Sequence, residues 1–173
     1  MSRIAYVNGR YLLHKNASVH IEDRGYQFGD GVYEVVLVLN KKMIDFDSHF
    51  NRLNRSLNEI CLEFTYSETT IKQIFKRLIR ANLITNGLLY LQVTRGVAHR
   101  AHHFPTDVAP ALVVTAKPTS ITLHIDGRKA ITTPDQRWDR RDIKTIQLLP
   151  NCIAKQEAVE QDAFEAIMVL KDG

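Results

Sequence analysis

Apolar residues recur along this chain with two periods, and the switches between them lay out the elements. Ile4-Ala5-Tyr6-Val7 and Arg10-Tyr11-Leu12-Leu13 flank Asn8-Gly9, a two-residue turn signal, and predict a hairpin. Val35-Val36-Leu37-Val38-Leu39 is a continuous apolar run, which suits a strand covered on both faces. A short strand follows at Met43-Ile44. Phe50, Leu53, Leu57, Ile60 and Cys61 then fall on one helical face, so a helix is predicted over about 48–62, capped by Asp47 or Ser48. Ile71, Ile74, Phe75, Leu78 and Ile79 give a second helix over about 68–82, capped by Ser67. Further strands are predicted at Leu88–Thr94, Ala111–Ala116, Arg128–Thr133 and Phe164–Leu170. Lys117-Pro118-Thr119-Ser120 breaks the pattern and reads as a linker.

The chain has 173 residues and a net charge of +4, which fits one domain, or one domain and part of another. No Lys/Arg run or basic patch interleaved with aromatics occurs, so nucleic acid is not an expected partner. Cys61 and Cys152 lie in helical, apolar contexts without metal spacing; they read as buried reduced thiols, which suits a cytoplasmic protein. No apolar run is long enough to span a bilayer, and residues 1–13 lack the layout of a signal peptide.

Three stretches carry candidate chemistry. The first is Asp142-Ile143-Lys144-Thr145, where alternation puts Ile143 and Thr145 opposite Asp142 and Lys144, ahead of a helix predicted from Leu149, Ile153 and Val159. Pro150 is tolerable there only in the first turn. A lysine near Arg140 and Arg141 can have a lowered pKa and attack carbonyl compounds. Taken alone, it reads as an ordinary solvated lysine. The second stretch is Asp23-Arg24-Gly25 to Gly29-Asp30-Gly31, whose glycines imply a loop with close backbone approaches or positive φ. The third is Arg95–Pro105, a polar loop holding His99, His102 and His103. No carboxylate or cysteine accompanies them at ligand spacing, so metal is the weaker reading.

The lysine stretch, with Leu148-Leu149-Pro150-Asn151 and Ala154-Lys155-Gln156-Glu157-Ala158, resembles the Schiff-base lysine segment of the class IV aminotransferases. Asp23-Arg24-Gly25 to Gly31-Val32-Tyr33-Glu34 is a second signature of that class. Arg100-Ala101-His102 followed by His103-Phe104-Pro105 resembles the D-amino-acid branch. The resemblance implies an α/β fold of the α+β type. A mixed sheet packed by two helices would occupy 1–117, and the first part of a second, β-rich domain carrying the lysine would occupy 118–173. It implies pyridoxal phosphate as cofactor, held by Lys144 as catalytic lysine and by Arg52 at the phosphate. Tyr33, with Arg100 and His102 of a neighbouring subunit, would hold the substrate carboxylate, so a homodimer is implied. The implied reaction is transfer of an amino group from D-alanine to 2-oxoglutarate, giving pyruvate and D-glutamate.

Branched-chain transamination and aminodeoxychorismate lyase chemistry use the same scaffold, and a non-catalytic or dimerising remnant is the rival from another class. The class IV pattern continues past residue 173, with a glutamate for the pyridine nitrogen and a backbone phosphate cradle. A C-terminally truncated chain, or one completed by a separate polypeptide, is therefore expected, with its last strand lacking sheet neighbours.

Overall fold

The computed structural model describes residues 3–120 and 127–171. The chain divides into two compact units: Met1–Ile121 with Ile143–Ile146, and Thr122–Asp142 with Gln147–Gly173.

In the first unit, β1 (Ile4–Val7) and β2 (Arg10–Leu13) form the expected hairpin. Asn8 and Gly9 both have positive φ, at 44° and 87°, as the tight turn requires. β3 (Gly31–Leu39), β4 (Lys42–Met43), β5 (Gly87–Thr94) and β6 (Ala111–Pro118) complete a six-stranded sheet in the order β2-β1-β6-β5-β3-β4. The class is as expected, but every pairing in this sheet is antiparallel rather than mixed. β4 sits one residue before Met43-Ile44. β6 runs through Lys117 and Pro118, which pair with Leu88 and Gly87, so the predicted linker loses its first half to the strand. Pro118 is tolerated because it is the strand's last residue.

α2 (Phe46–Glu59) packs on β3, and α3 (Glu68–Ala81) packs on β1 and β6. Leu53, Leu57, Ile71, Phe75 and Leu78 meet Val36, Val38, Leu89, Leu91, Leu112 and Val114 in one core. Truncating one such leucine to alanine costs about 2–5 kcal/mol. α3 is capped as predicted, Ser67 Oγ accepting from Thr70 N at 3.2 Å. α2 departs from expectation. It starts at Phe46 behind Asp45, whose φ is 50° and whose side chain makes no cap. Phe46 is buried against Phe75, edge to face, and this burial fixes the helix start in place of Asp47 or Ser48. The helix stops at Glu59, so Cys61 lies beyond it with φ 51° and is exposed. Cys152 is exposed too, so neither thiol is buried as the sequence suggested.

β3 is not covered on both faces within its unit. Val32, Glu34, Val36 and Val38 are buried, whereas Tyr33, Val35, Leu37 and Leu39 are only half-buried. The glycine-rich stretch before it holds a short helix, α1 (Arg24–Phe28), not only loop. Asp23 caps α1 by accepting from Gly25 N at 2.8 Å, and Gly29, with φ 68°, ends it.

The second unit contains β7 (Ala130–Pro134), α4 (Leu149–Glu160) and β8 (Glu165–Val169). β7 and β8 pair in parallel across the helix, a connection that parallel strands need. The last strand therefore has one neighbour where none was expected. Pro150 lies in the first turn of α4 as required. However, the buried face of α4 is Ala154 and Ala158, one turn apart, and Leu149, Ile153 and Val159 are exposed. Small side chains let the helix approach β7 and β8 closely, so the face it buries is not the bulky one that signalled it. Asp135 accepts from Arg137 at 2.7 Å and Arg141 at 3.0 Å, and these partners hold its carboxyl well below the usual carboxylate range. No helix among the described residues is long and apolar enough to cross a membrane.

Candidate active site

Lys144 lies far along the sequence, yet the segment around it, Ile143–Ile146, belongs to the first unit. Ile143 and Thr145 are buried and Lys144 is half-buried, as alternation predicted, but no strand forms. Thr145 N donates to Ile143 O at 2.9 Å, which closes a three-residue turn with Lys144 at its centre. A single bridge, Val32 to Thr145, ties the turn to the start of β3. Tyr33 N donates to Lys144 O and Ile146 N donates to Gly31 O, both at 3.1 Å. Lys144 N lies 3.4 Å from Ser56 Oγ, a buried hydroxyl on α2.

These contacts aim the amine. Lys144 Nζ stands 4.1 Å from the centroid of the Tyr33 ring. Tyr33 stacks on Tyr90 with centroids 5.6 Å apart, and Tyr90 donates to Gln92 Oε1 at 2.8 Å. Burial, then the neighbouring Tyr33, push the Tyr90 hydroxyl up to about 12. Among the described residues no carboxylate pairs with Lys144. The arginines upstream are occupied elsewhere, Arg140 with Asp142 at 3.0 Å and Arg141 with Asp135.

One residue along β3 from Tyr33, Glu34 points to the opposite face, as strand alternation requires. Its carboxylate is 3% exposed and accepts Arg52 Nε and Nη2, each at 2.7 Å, and pairs with His49 Nδ1 at 2.8 Å. The Glu34 bonds raise the Arg52 guanidinium above its usual range. Arg52 is thus not a freely solvated arginine. The fork with Glu34 fixes its plane and leaves Nη1 outside the pair. Ser56 follows Arg52 by one turn of α2, so the same helical face serves both Arg52 and the Lys144 backbone.

The structure brings Lys144 and Tyr33 into contact and fixes Arg52 on Glu34, the next residue of β3. Among the described residues, it brings neither Arg100 nor His102 into contact with them. Both are exposed and lean on α1: the Arg100 guanidinium lies 4.8 Å from the Phe28 ring, and the His102 ring lies 5.7 Å from it. No group of three or more histidine, cysteine or acidic side chains among the described residues could hold a metal ion.

Sequence reasoning gave no role to Glu34, His49 or Ser56. A signal existed for Glu34, since a carboxylate inside the run Val32–Leu39 must be paired if the strand is buried. Its partners lie 15 and 18 residues away on a helix, beyond what periodicity can pair.

At the start of β3, Lys144 thus meets Tyr33 on one face and Arg52 meets Glu34 on the other, and comparison with known proteins bears on what such an end does. The Amino-transferase class IV family matches residues 31–173. The chain is similar to D-alanine aminotransferase of Staphylococcus aureus (strain MSSA476), 42% identical over 94% of this chain and 58% of the relative. It is likewise similar to D-alanine aminotransferase of Listeria innocua, 44% identical over 94% of this chain and 58% of the relative. The chain therefore spans somewhat over half the length of these relatives. In fold it is similar to the branched-chain amino acid aminotransferase of Escherichia coli, with TM-score 0.87 at 18% identity, covering 100% of this chain and 60% of that one. The T.th. branched-chain amino acid aminotransferase solved with pyridoxamine 5'-phosphate superposes with TM-score 0.85 at 16% identity, covering 100% of this chain and 61% of that one. The family match covers well over half of the chain, and the fold agrees with it: the chain belongs to the class IV aminotransferases.

Proposed function

We propose that this chain holds pyridoxal phosphate through Lys144 and serves transamination of D-amino acids, with D-alanine and 2-oxoglutarate as the pair. The observation that carries the reading is the placement of Lys144: an amine held over Tyr33 at the centre of a turn, without a carboxylate partner among the described residues. The donor set suits the cofactor. Lys144 supplies an amine for its aldehyde, and Arg52, oriented by Glu34, supplies a guanidinium edge for its phosphate. When bound, the cofactor offers a carbonyl that condenses with amines and a ring that accepts an electron pair. Lys144 then moves the proton at the substrate Cα as general base and acid. Tyr33 faces the substrate, and Arg100 and His102 of a neighbouring subunit fix its carboxylate by a planar fork and a hydrogen bond. The last assignment makes a homodimer the working unit.

The Arg100-Ala101-His102 sequence and the D-alanine aminotransferase relatives favour D-amino acids over L-branched-chain substrates. The fold neighbours at 16–18% identity speak only for the scaffold. The test is to incubate the 173-residue protein with pyridoxal phosphate, reduce with borohydride and map the product by mass spectrometry. Stoichiometric label confined to Lys144 is expected, with D-alanine consumed in the presence of 2-oxoglutarate. Label scattered over other lysines sinks the cofactor assignment, and turnover of L-leucine but not D-alanine sinks the substrate assignment.

A further inference from the structure

The signature block Asp23-Arg24-Gly25 to Asp30 has no part in the reading above, yet it holds some of the most deeply buried charge in the chain. Arg24 is 3% exposed and Arg95 is 6% exposed. A buried arginine must be paired, and both turn to one carboxylate: Arg24 Nε and Arg95 Nε each lie 2.8 Å from Asp30 Oδ2. One carboxylate against two guanidiniums leaves charge that carbonyl dipoles meet. Arg95 donates to Ile60 O at 2.7 Å and Cys61 O at 3.1 Å. Arg24 reaches across the fold and donates to Ala101 O at 2.6 Å and His102 O at 3.5 Å.

The same stretch also grips the stem of the Arg95–Pro105 loop. Arg24 N donates to Gly96 O at 2.9 Å, Ala98 N donates to Glu22 O at 3.3 Å, and Asp23 bridges Val97. Thr94 donates to Asp23 Oδ2 at 2.9 Å. At the tip, the Phe28 ring takes the Arg24 and Arg100 guanidiniums, each 4.8 Å from its centroid, and the edge of His102. The backbone of the tip is therefore anchored, while the side chains of Arg100 and His102 stay exposed. That is the arrangement a loop needs to present two ligands in fixed register.

We infer that Arg24 is a positioning residue that clamps the 95–105 loop and so sets affinity for the substrate carboxylate. The inference rests on the reading of Arg100 and His102 as carboxylate ligands. Lysine at position 24 keeps the charge beside Asp30 but cannot fork to two carbonyls. In the parent protein and Arg24→Lys, three quantities are compared: D-alanine kinetics, tryptic cleavage after Arg100, and borohydride labelling of Lys144. Arg24→Lys should raise KM for D-alanine about tenfold or more with kcat within about twofold, because ligands that hold the carboxylate alike in the ground and transition states contribute uniform binding. Cleavage after Arg100 should quicken about tenfold, as the loop opens more often, and labelling should stay at the parent level. Phe28→Leu, which removes the ring beneath both ligands and leaves every charge in place, should shift KM and cleavage the same way. Unchanged KM and cleavage in a folded Arg24→Lys, or in Phe28→Leu if the first variant does not fold, overturns the inference. A parent that neither labels nor turns over defeats the transamination reading instead. Cleavage after Arg100 then decides the clamp alone, equal rates in parent and variant being the overturning result.

Discussion

Glu34 holds Arg52 by both oxygens, Nε and Nη2 each at 2.7 Å, from a carboxylate almost wholly out of water. The arginine itself is nearly half exposed, so the buried partner fixes the exposed one. Glutamine at position 34 keeps the shape and one acceptor but loses the charge and the second acceptor. Glu34→Gln should cost about 1–3 kcal/mol in urea unfolding, the usual penalty for a buried group left partly unpaired. It should also weaken pyridoxal phosphate uptake, read as a higher cofactor concentration for half-maximal labelling of Lys144. Stability and labelling both at parent levels would remove Glu34 from the site.

Lys144 sits differently. The fold uses its backbone, through Tyr33 N, Ser56 Oγ and the neighbouring bridge, and leaves its side chain half-buried without an ion pair among the described residues. Lys144→Ala should therefore abolish borohydride labelling and turnover while shifting unfolding free energy by no more than about 1 kcal/mol, the usual range for a side chain away from the core. Retained turnover refutes the catalytic role; a large loss of stability would show that the amine serves the fold.

What could be read from the sequence was local. Ser67 and the spacing of Ile71, Ile74, Phe75 and Leu78 placed α3 to within a residue of its end, and Asn8-Gly9 placed the first turn, because caps and turns are decided by adjacent residues. Around Lys144 the burial alternation was legible, but the extended strand expected there is a turn. The turn closes on its own Thr145–Ile143 bond, but its docking depends on hydrogen bonds to the distant Gly31 and Tyr33 of β3, which no local pattern announces. Arg24 and Ala101 are 77 residues apart, and no periodicity links them. The α4 face failed for another reason. Hydrophobic spacing marks a helix but not the surface it packs on, and here the packing surface is alanine. The two thiols followed from mistaking the helix end at Glu59 and from the same misread face.

Gly25 is required by Thr94, not by its own backbone angles. A Cβ at position 25 would run into Thr94 Cγ2 and come within 2.9 Å of Asp23 Oδ1. Thr94 is buried and its hydroxyl is committed to Asp23, so it has little freedom to move aside. Gly25→Ala should destabilise by about 1–3 kcal/mol, as overpacking does. Thr94→Ser deletes the methyl and keeps the hydroxyl, so the double variant should recover a large part of that loss. The coupling is measured by a double-mutant cycle in urea; strictly additive losses would mean that the strain lies elsewhere.

Tyr90 gives a prediction in pH. Its hydroxyl is pushed up to about 12, first by burial and then by Tyr33, whereas an unfolded tyrosine ionises near 10. Between those values the folded chain keeps a proton that the unfolded chain has lost. The folded state binds more protons there, so stability falls as pH rises from about 10 through 12 and is unaffected by Tyr90 below about 10. Replacing Tyr90 by phenylalanine removes the ionisation and, with it, that share of the alkaline loss, at the cost of the bond to Gln92 at all pH values. In urea unfolding followed from about pH 8 to 11.5, the stability gap between parent and Tyr90→Phe should therefore narrow as pH rises. A gap that stays constant over this range would place the Tyr90 hydroxyl in contact with water and detach it from the stack with Tyr33.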